Sequence, residues 1–155
     1  MIGYIGAAFV LGIAAIGSAI GIGAAGNAAI GAWKRCYMNN KPAPFILTVF
    51  AGAPLTQTIY GFLLMQQLRD KLVAGTIEPA AALILGIFSG LAMAASAIAQ
   101  GKAGASASDA LGETGKGFSQ YITVVGLCET VALFALVFRP FLPISAILFA
   151  PLLPM

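Results

Sequence analysis

Four stretches of this chain are each long and apolar enough to cross the hydrocarbon core of a bilayer, and no other feature limits the fold as much. About 20 apolar residues suffice for a crossing, and runs extend from about Ile2 to Ala32, Pro44 to Leu68, Pro79 to Gly101 and Phe118 to Phe138. Lipid offers no partner to a free peptide group, so a span must satisfy its backbone internally, as a helix or within a closed barrel. No ten-residue alternation of the barrel kind is visible. The expected fold class is therefore an all-α membrane protein with four transmembrane helices. Composition agrees: 8% of the 155 residues are charged, against roughly 25% in a soluble domain. The run from Ile2 has no basic leader and is longer than a signal core, so it is expected to be a retained span.

The connectors give a topology. WKRCYMNNKPA carries Lys34, Arg35 and Lys41 without an acid, whereas RDKLVAGTIE sets Arg69 and Lys71 against Asp70 and Glu78. The positive-inside tendency puts the first connector in the cytoplasm, both termini outside, and the third connector, KAGASASDALGETGKG, in the cytoplasm again. The expected location is a bacterial inner membrane. Two tandem helical hairpins result, residues 1–72 and residues 73–155, the second ending in the apolar, Pro-rich tail RPFLPISAILFAPLLPM. The hairpins resemble each other. GSAIGIGAAG, from Gly17, aligns with ASAIAQGKAG, from Ala95, and PLTQTIYGF, from Pro54, aligns with GLCETVALF, from Gly126. Both copies run the same way through the membrane, a parallel repeat.

Several functions are excluded by composition. The net charge is only +3 and no long basic run interleaves with aromatics, so nucleic acid is not an expected partner. There is no histidine, and Cys36 and Cys128 fall at different depths, too far apart to bridge, and lack zinc-ligand spacing. No glycine-rich loop is followed by Lys-Ser/Thr, so a phosphate-binding loop of that kind is not expected in this chain. The odd-numbered spans instead carry small-residue stripes: Ala14, Gly17, Gly21, Ala24 and Ala28 in the first, Gly90, Ala94, Ala97, Gly101 and Gly104 in the third. Each stripe keeps to one helix face and lets backbones approach closely. The bulk sits in spans two and four, at Phe45, Phe50, Tyr60 and Phe62 and at Phe118, Tyr121, Phe134 and Phe138. A crowded inner wall of small-residue helices within an outer wall of bulky ones suits a closed ring of many hairpins.

Against this background Glu129 stands out as the formally charged residue in the apolar interior of a span. It lies roughly 16 Å deep at 1.5 Å per residue, where an ionisable group costs about 2.5–3.5 kcal/mol on insertion scales and usually marks an ion or proton pathway. Gln57 takes its place in the first hairpin. Thr56, Gln57 and Tyr60 fall near the middle of span two, Thr56 and Tyr60 on one face, and Gln100 lies beside the cytoplasmic end of span three. Pro54 has no N–H, so the Phe50 carbonyl loses its helical partner and the backbone opens. A carboxylate, two amide oxygens, a hydroxyl and backbone carbonyls amount to about five hard oxygen ligands, which suit a hard cation. A proton needs only the carboxylate, so the additional oxygens favour Na+ over H+ as the carried ion, with Li+ or a hydronium-like arrangement as the alternatives.

TQxxYGF in span two, SAIAQGKAG ending span three and CETVALF in span four together resemble the membrane-ring proteolipid, the K or c subunit, of V-type (vacuolar/archaeal-type) rotary ATPases, and particularly its sodium-translocating bacterial members. The likeness covers all four spans, with specific motifs in three. It implies a protomer of two fused hairpins, about ten of which close into a rotor ring. It further implies an ion site of Glu129, Thr56, Gln57, Gln100 and the Ala53 carbonyl, with Tyr60 bonding the carboxylate. Two departures from the family are Ala53, usually a larger residue, and Leu55, in place of a glycine; because only the carbonyl of Ala53 would bind, the ligand survives. The implied partners are identical copies, a stator membrane subunit with an arginine, central-stalk subunits of the ATPase, and lipid.

The implied mechanism is a charge gate. An empty Glu129 is an anion that cannot face lipid cheaply, whereas one carrying Na+ or H+ is neutral and can travel around the ring. The competing reading is a small four-helix multidrug or cation exporter that uses one intramembrane glutamate. That reading predicts an aromatic cage and an inverted or dual topology, whereas Thr, Cys, Gly and Val surround Glu129 and the repeat is parallel.

Overall fold

The computed structural model describes residues 1–137, and among them the regular structure is all helix, without a strand. The helices are α1 (Ile2–Met38), α2 (Leu47–Gly52), α3 (Thr56–Val73), α4 (Pro79–Thr114) and α5 (Phe118–Val137), with a single 3-10 turn, Ala53–Leu55, joining α2 to α3. Four units are long and apolar enough to cross a membrane: α1, α2 with α3 as one span over Leu47–Val73, α4, and α5. The tail from Arg139 and the last residue assigned to span four, Phe138, lie outside the described residues.

Helix lengths correct the sequence boundaries. Apolar character fades after Ala32 and Gly101, yet α1 runs on to Met38 and α4 to Thr114, so most of the expected third connector is helix. Hydropathy marks where lipid contact stops, whereas a helix continues for as long as it has a face to pack. Here α1 goes on burying Ala32 and Cys36, and α4 goes on burying Gly104, Ala107, Ser108 and Leu111. Leu111 and Ala32 meet Phe50, Val125 and the half-buried Phe118 in one apolar cluster. What stops α4 is a backbone cap. Gly115 takes φ +65°, the left-handed conformation that glycine reaches without a Cβ penalty, and its N–H bonds the Leu111 carbonyl at 2.8 Å. At the same end the Trp33 indole N–H donates to the Pro44 carbonyl at 2.8 Å, tying the first connector back onto α1. The Arg35 guanidinium pairs with Asp109 across α1 and α4.

α1 and α4 form the inner pair, with backbones in direct contact. A methyl group at Gly86 would overlap the Gly6 carbonyl, one at Gly17 would overlap Ala94, and one at Gly101 would overlap the backbone of Gly21. The small-residue stripes therefore pack against each other. Their register differs in one place: Ala24 and Ala28 are half-buried, and the stripe passes through Ala25 and Ala29. In AAGNAAIGA, from Ala24 to Ala32, nearly every side chain is small, so periodicity could not choose a face. Only the partner helix could.

The bulkier helices pack outside this pair. α3 seats Gly61 against Ala14 and Val10 of α1, burying Leu64 and Leu68. α5 buries only Val125 and Ala132, and shows Val124, Leu127 and Val131 outward. Exposed apolar side chains are expected of a helix solvated by lipid or by another helix. Phe45 and Phe62 also face outward, whereas Phe50 is fully buried with its ring centroid 5.5 Å from that of Phe118. At Pro54 the helix tightens into the 3-10 turn. A Cβ at Gly104 would come within 2.8 Å of the Phe50 carbonyl, so a glycine of α4 closes over the group that Pro54 leaves without its N–H.

Candidate functional site

The site is built where α3, α4 and α5 meet. Glu129 is half-buried, eleven positions into α5. Other polar groups of that helix satisfy themselves locally: the Thr123 hydroxyl donates to the Ser119 carbonyl at 2.8 Å and the Thr130 hydroxyl to Leu127 at 2.8 Å. Glu129 instead turns inward. Its Oε1 accepts the phenol proton of Tyr60 from α3, and its Oε2 lies 3.4 Å from Nε2 of Gln100 on α4.

From Gln100 a polar chain runs across to α3. Gln100 Nε2 also donates to the Val125 carbonyl at 3.1 Å, and its Oε1 accepts from Gln57 Nε2 at 2.9 Å. Gln57 Nε2 donates as well to Ser96 Oγ at 3.1 Å. On its other side Gln57 Oε1 lies 3.3 Å from the Thr56 hydroxyl, which donates to the Ala53 carbonyl at 3.0 Å. Gln57 and Gln100 are 0% and 1% exposed, so these bonds replace water that has no access there.

All the residues singled out in the sequence thus stand on one continuous hydrogen-bonded path: Ala53, Thr56, Gln57, Gln100, Glu129 and Tyr60. Two positions need correction. Gln100 does not sit at the end of its helix, because α4 continues about 21 Å past it to Thr114; contact with Glu129 puts the two at one depth. The second correction is an addition, Ser96, buried at 3% exposure, whose hydroxyl donates to the Cys128 carbonyl at 2.7 Å. A signal for it was present. Ser96 precedes Gln100 by one helical turn and shares its face, within the Ser-Ala-Ile that the two hairpins have in common.

The electrostatic point is what Glu129 lacks. Among the described residues the Arg35–Asp109 contact is the one ion pair, and it joins α1 to α4 well away from this site. An anionic Glu129 therefore has hydrogen-bond donors from Tyr60 and Gln100 but no cationic partner within those residues. A carboxylate surrounded by apolar helices without a counter-charge is unfavourable, so the site calls for a proton, a metal cation, or a cation from another chain. Of the free cysteines, Cys36 donates to the Gly112 carbonyl at 3.5 Å, and Cys128 offers its backbone carbonyl.

Residues 83–139 match the family of the ATP synthase C subunit, a segment that includes Ser96, Gln100 and Glu129. The chain is 36% identical over 136 residues to the A-type ATP synthase subunit K of Methanocaldococcus jannaschii, across 88% of this chain and 59% of the relative. It therefore spans about three fifths of the length of the curated relative it matches. No solved structure matches.

Proposed function

We propose that this chain, whose residues 83–139 match the family of the ATP synthase C subunit, is a non-catalytic rotor-ring subunit of an A/V-type ATP synthase or ATPase that carries Na+ on Glu129. What carries the reading is the Glu129 carboxylate, held by Tyr60 and Gln100 in the membrane-spanning region and continuous with the Gln57 and Thr56 oxygens.

Five oxygens would hold the cation: Glu129, Gln57 Oε1, Gln100 Oε1, the Thr56 hydroxyl and the Ala53 carbonyl. A carbonyl oxygen has two lone pairs. Gln57 Oε1 lies beside the Thr56 hydroxyl, whose proton goes to the Ala53 carbonyl, and Gln100 Oε1 accepts once, from Gln57, which leaves capacity on both. Oxygen donors without sulfur or imidazole suit a hard monovalent ion. Neutralised by Na+, the carboxylate travels through lipid; emptied, it requires an external cation, for which an arginine of the stator subunit is the natural group. Identical copies close into a ring, turned by the subunits that hydrolyse or make ATP. The α1–α2 and α4–α5 connectors lie on the cytoplasmic side of a bacterial inner membrane, and both termini lie outside. With Gln57 where the second hairpin has Glu129, each protomer carries one ion, which lowers the ions moved per turn. That gearing helps a pump working against a steep gradient, since each charge costs about 2.3 kcal/mol per 100 mV.

The test is modification of Glu129 by dicyclohexylcarbodiimide in the assembled complex. Sodium is expected to protect the carboxyl and to stimulate ATP turnover, and Glu129→Gln to abolish both labelling and transport with the ring intact. Labelling that ignores sodium but falls as the pH rises would assign the site to H+ instead. A chain that transports as an isolated protomer would favour the exporter.

A further inference from the structure

Ser96, like Gln100 one turn after it, joins α3, α4 and α5: it stands on α4, accepts from Gln57 of α3 and donates to the backbone of α5. Its chemistry fixes directions. A hydroxyl has one proton. The Cys128 carbonyl, 2.7 Å away, can only accept, so the Ser96 proton is committed there. Toward Gln57 the Ser96 oxygen is then purely an acceptor, and the amide atom 3.1 Å from it must be Nε2. Oε1 of Gln57 is thereby turned the other way, toward the Thr56 hydroxyl beside the Ala53 carbonyl. The same polarity passes on: Gln57 Nε2 requires an acceptor on Gln100, so Oε1 of Gln100 faces Gln57 and its Nε2 faces Val125 and Glu129.

We propose that Ser96 is a positioning residue that determines preference for a metal cation over a proton: by anchoring the Gln57 amide nitrogen, it presents the Gln57 oxygen to the ion. The inference rests on the reading that the site carries Na+. Proton binding uses the carboxylate alone and has no need of the amide's sense; Na+ needs the oxygen. Without Ser96, the Gln57 nitrogen keeps one of its two acceptors, Gln100 Oε1, so the amide is held less firmly in the sense that turns its oxygen toward the cation. The first hairpin supplies a contrast within the chain. Ser18, aligned with Ser96 in the repeat, is 2% exposed and its hydroxyl has no hydrogen-bond partner among the described residues. The serine is present in both hairpins, but it orients an amide only where the carboxylate is.

The experiment is sodium protection of Glu129 from dicyclohexylcarbodiimide in the assembled complex, comparing wild type, Ser96→Ala and Ser96→Thr. Loss of one net hydrogen bond predicts that Ser96→Ala raises the half-protecting sodium concentration roughly 3- to 10-fold. The labelling rate in sodium-free buffer stays at the wild-type value, because the carboxyl itself is untouched, and Ser96→Thr, which keeps the hydroxyl, restores wild-type protection. Unchanged sodium protection in Ser96→Ala, or an equal change in the sodium-free rate, would overturn the assignment while leaving the ion site standing. If sodium fails to protect even the wild type, the Na+ reading falls and this inference falls with it.

Discussion

Tyr60 and Glu129, 69 positions apart in the chain, meet across α3 and α5, where the phenol donates its proton to one carboxylate oxygen. Tyr60 lies one turn after Thr56 on α3, so a single helix face supplies both the Thr56 hydroxyl of the proposed ion site and the group that bonds the Glu129 carboxylate. Removing the phenol in Tyr60→Phe frees the Glu129 rotamer without opening a large void. A hydrogen bond to an ionised group is worth about 1.5–3 kcal/mol, so the half-protecting sodium concentration should rise at least tenfold. Carbodiimide labelling across a sodium titration measures it, and a wild-type curve would show that Tyr60 takes no part in holding the carboxylate.

The same carboxylate sets a pH dependence. In the proposed site Na+ would bind the anion where a proton would occupy the same oxygens, so the two would compete. Where the proton predominates, each unit decrease in pH should raise the half-protecting sodium concentration about tenfold; where the anion predominates, the dependence should vanish. Sodium titrations at a series of pH values read the slope. A half-protecting concentration that falls as the pH is lowered would mean that the cation and the proton do not share Glu129.

Close backbone packing of α1 on α4 makes a different prediction. A methyl group at Gly86 would overlap the Gly6 carbonyl, a backbone atom that cannot turn aside. Gly86→Ala should therefore push the inner helices apart at a cost of about 1–3 kcal/mol or more. Thermal denaturation in detergent would show it as a lowered midpoint. Gly12→Ala is the comparison, because nothing lies within 4 Å of the added carbon, and the protomer should accept it.

The Arg35–Asp109 pair should matter little. Its side chains are 45% and 57% exposed, and a solvated pair is worth about 0–1 kcal/mol, less in salt. Asp109→Ala should leave the midpoint of denaturation nearly unchanged at high ionic strength, with any difference confined to low salt. A large loss in both would mean that this end of α4 is held by that contact rather than by the cluster around Phe50 and Leu111.

What the sequence determined by itself follows from one-dimensional chemistry. Lipid cannot satisfy a peptide group, so four apolar runs dictated four helical spans. Charge is expensive at depth, so Glu129 announced itself, and the repeat pointed to Gln57 as its counterpart. Other features needed three dimensions. The end of α4 was invisible to hydropathy because helix–helix packing sustains it beyond the apolar run. The stripe passes through Ala25 and Ala29 because only a partner helix could select a face where every residue is small. Ser96 reads as one more small residue of a span until Cys128 and Gln57 are placed around it. Polar matching depends on the direction of each proton, and that direction is decided where three helices meet.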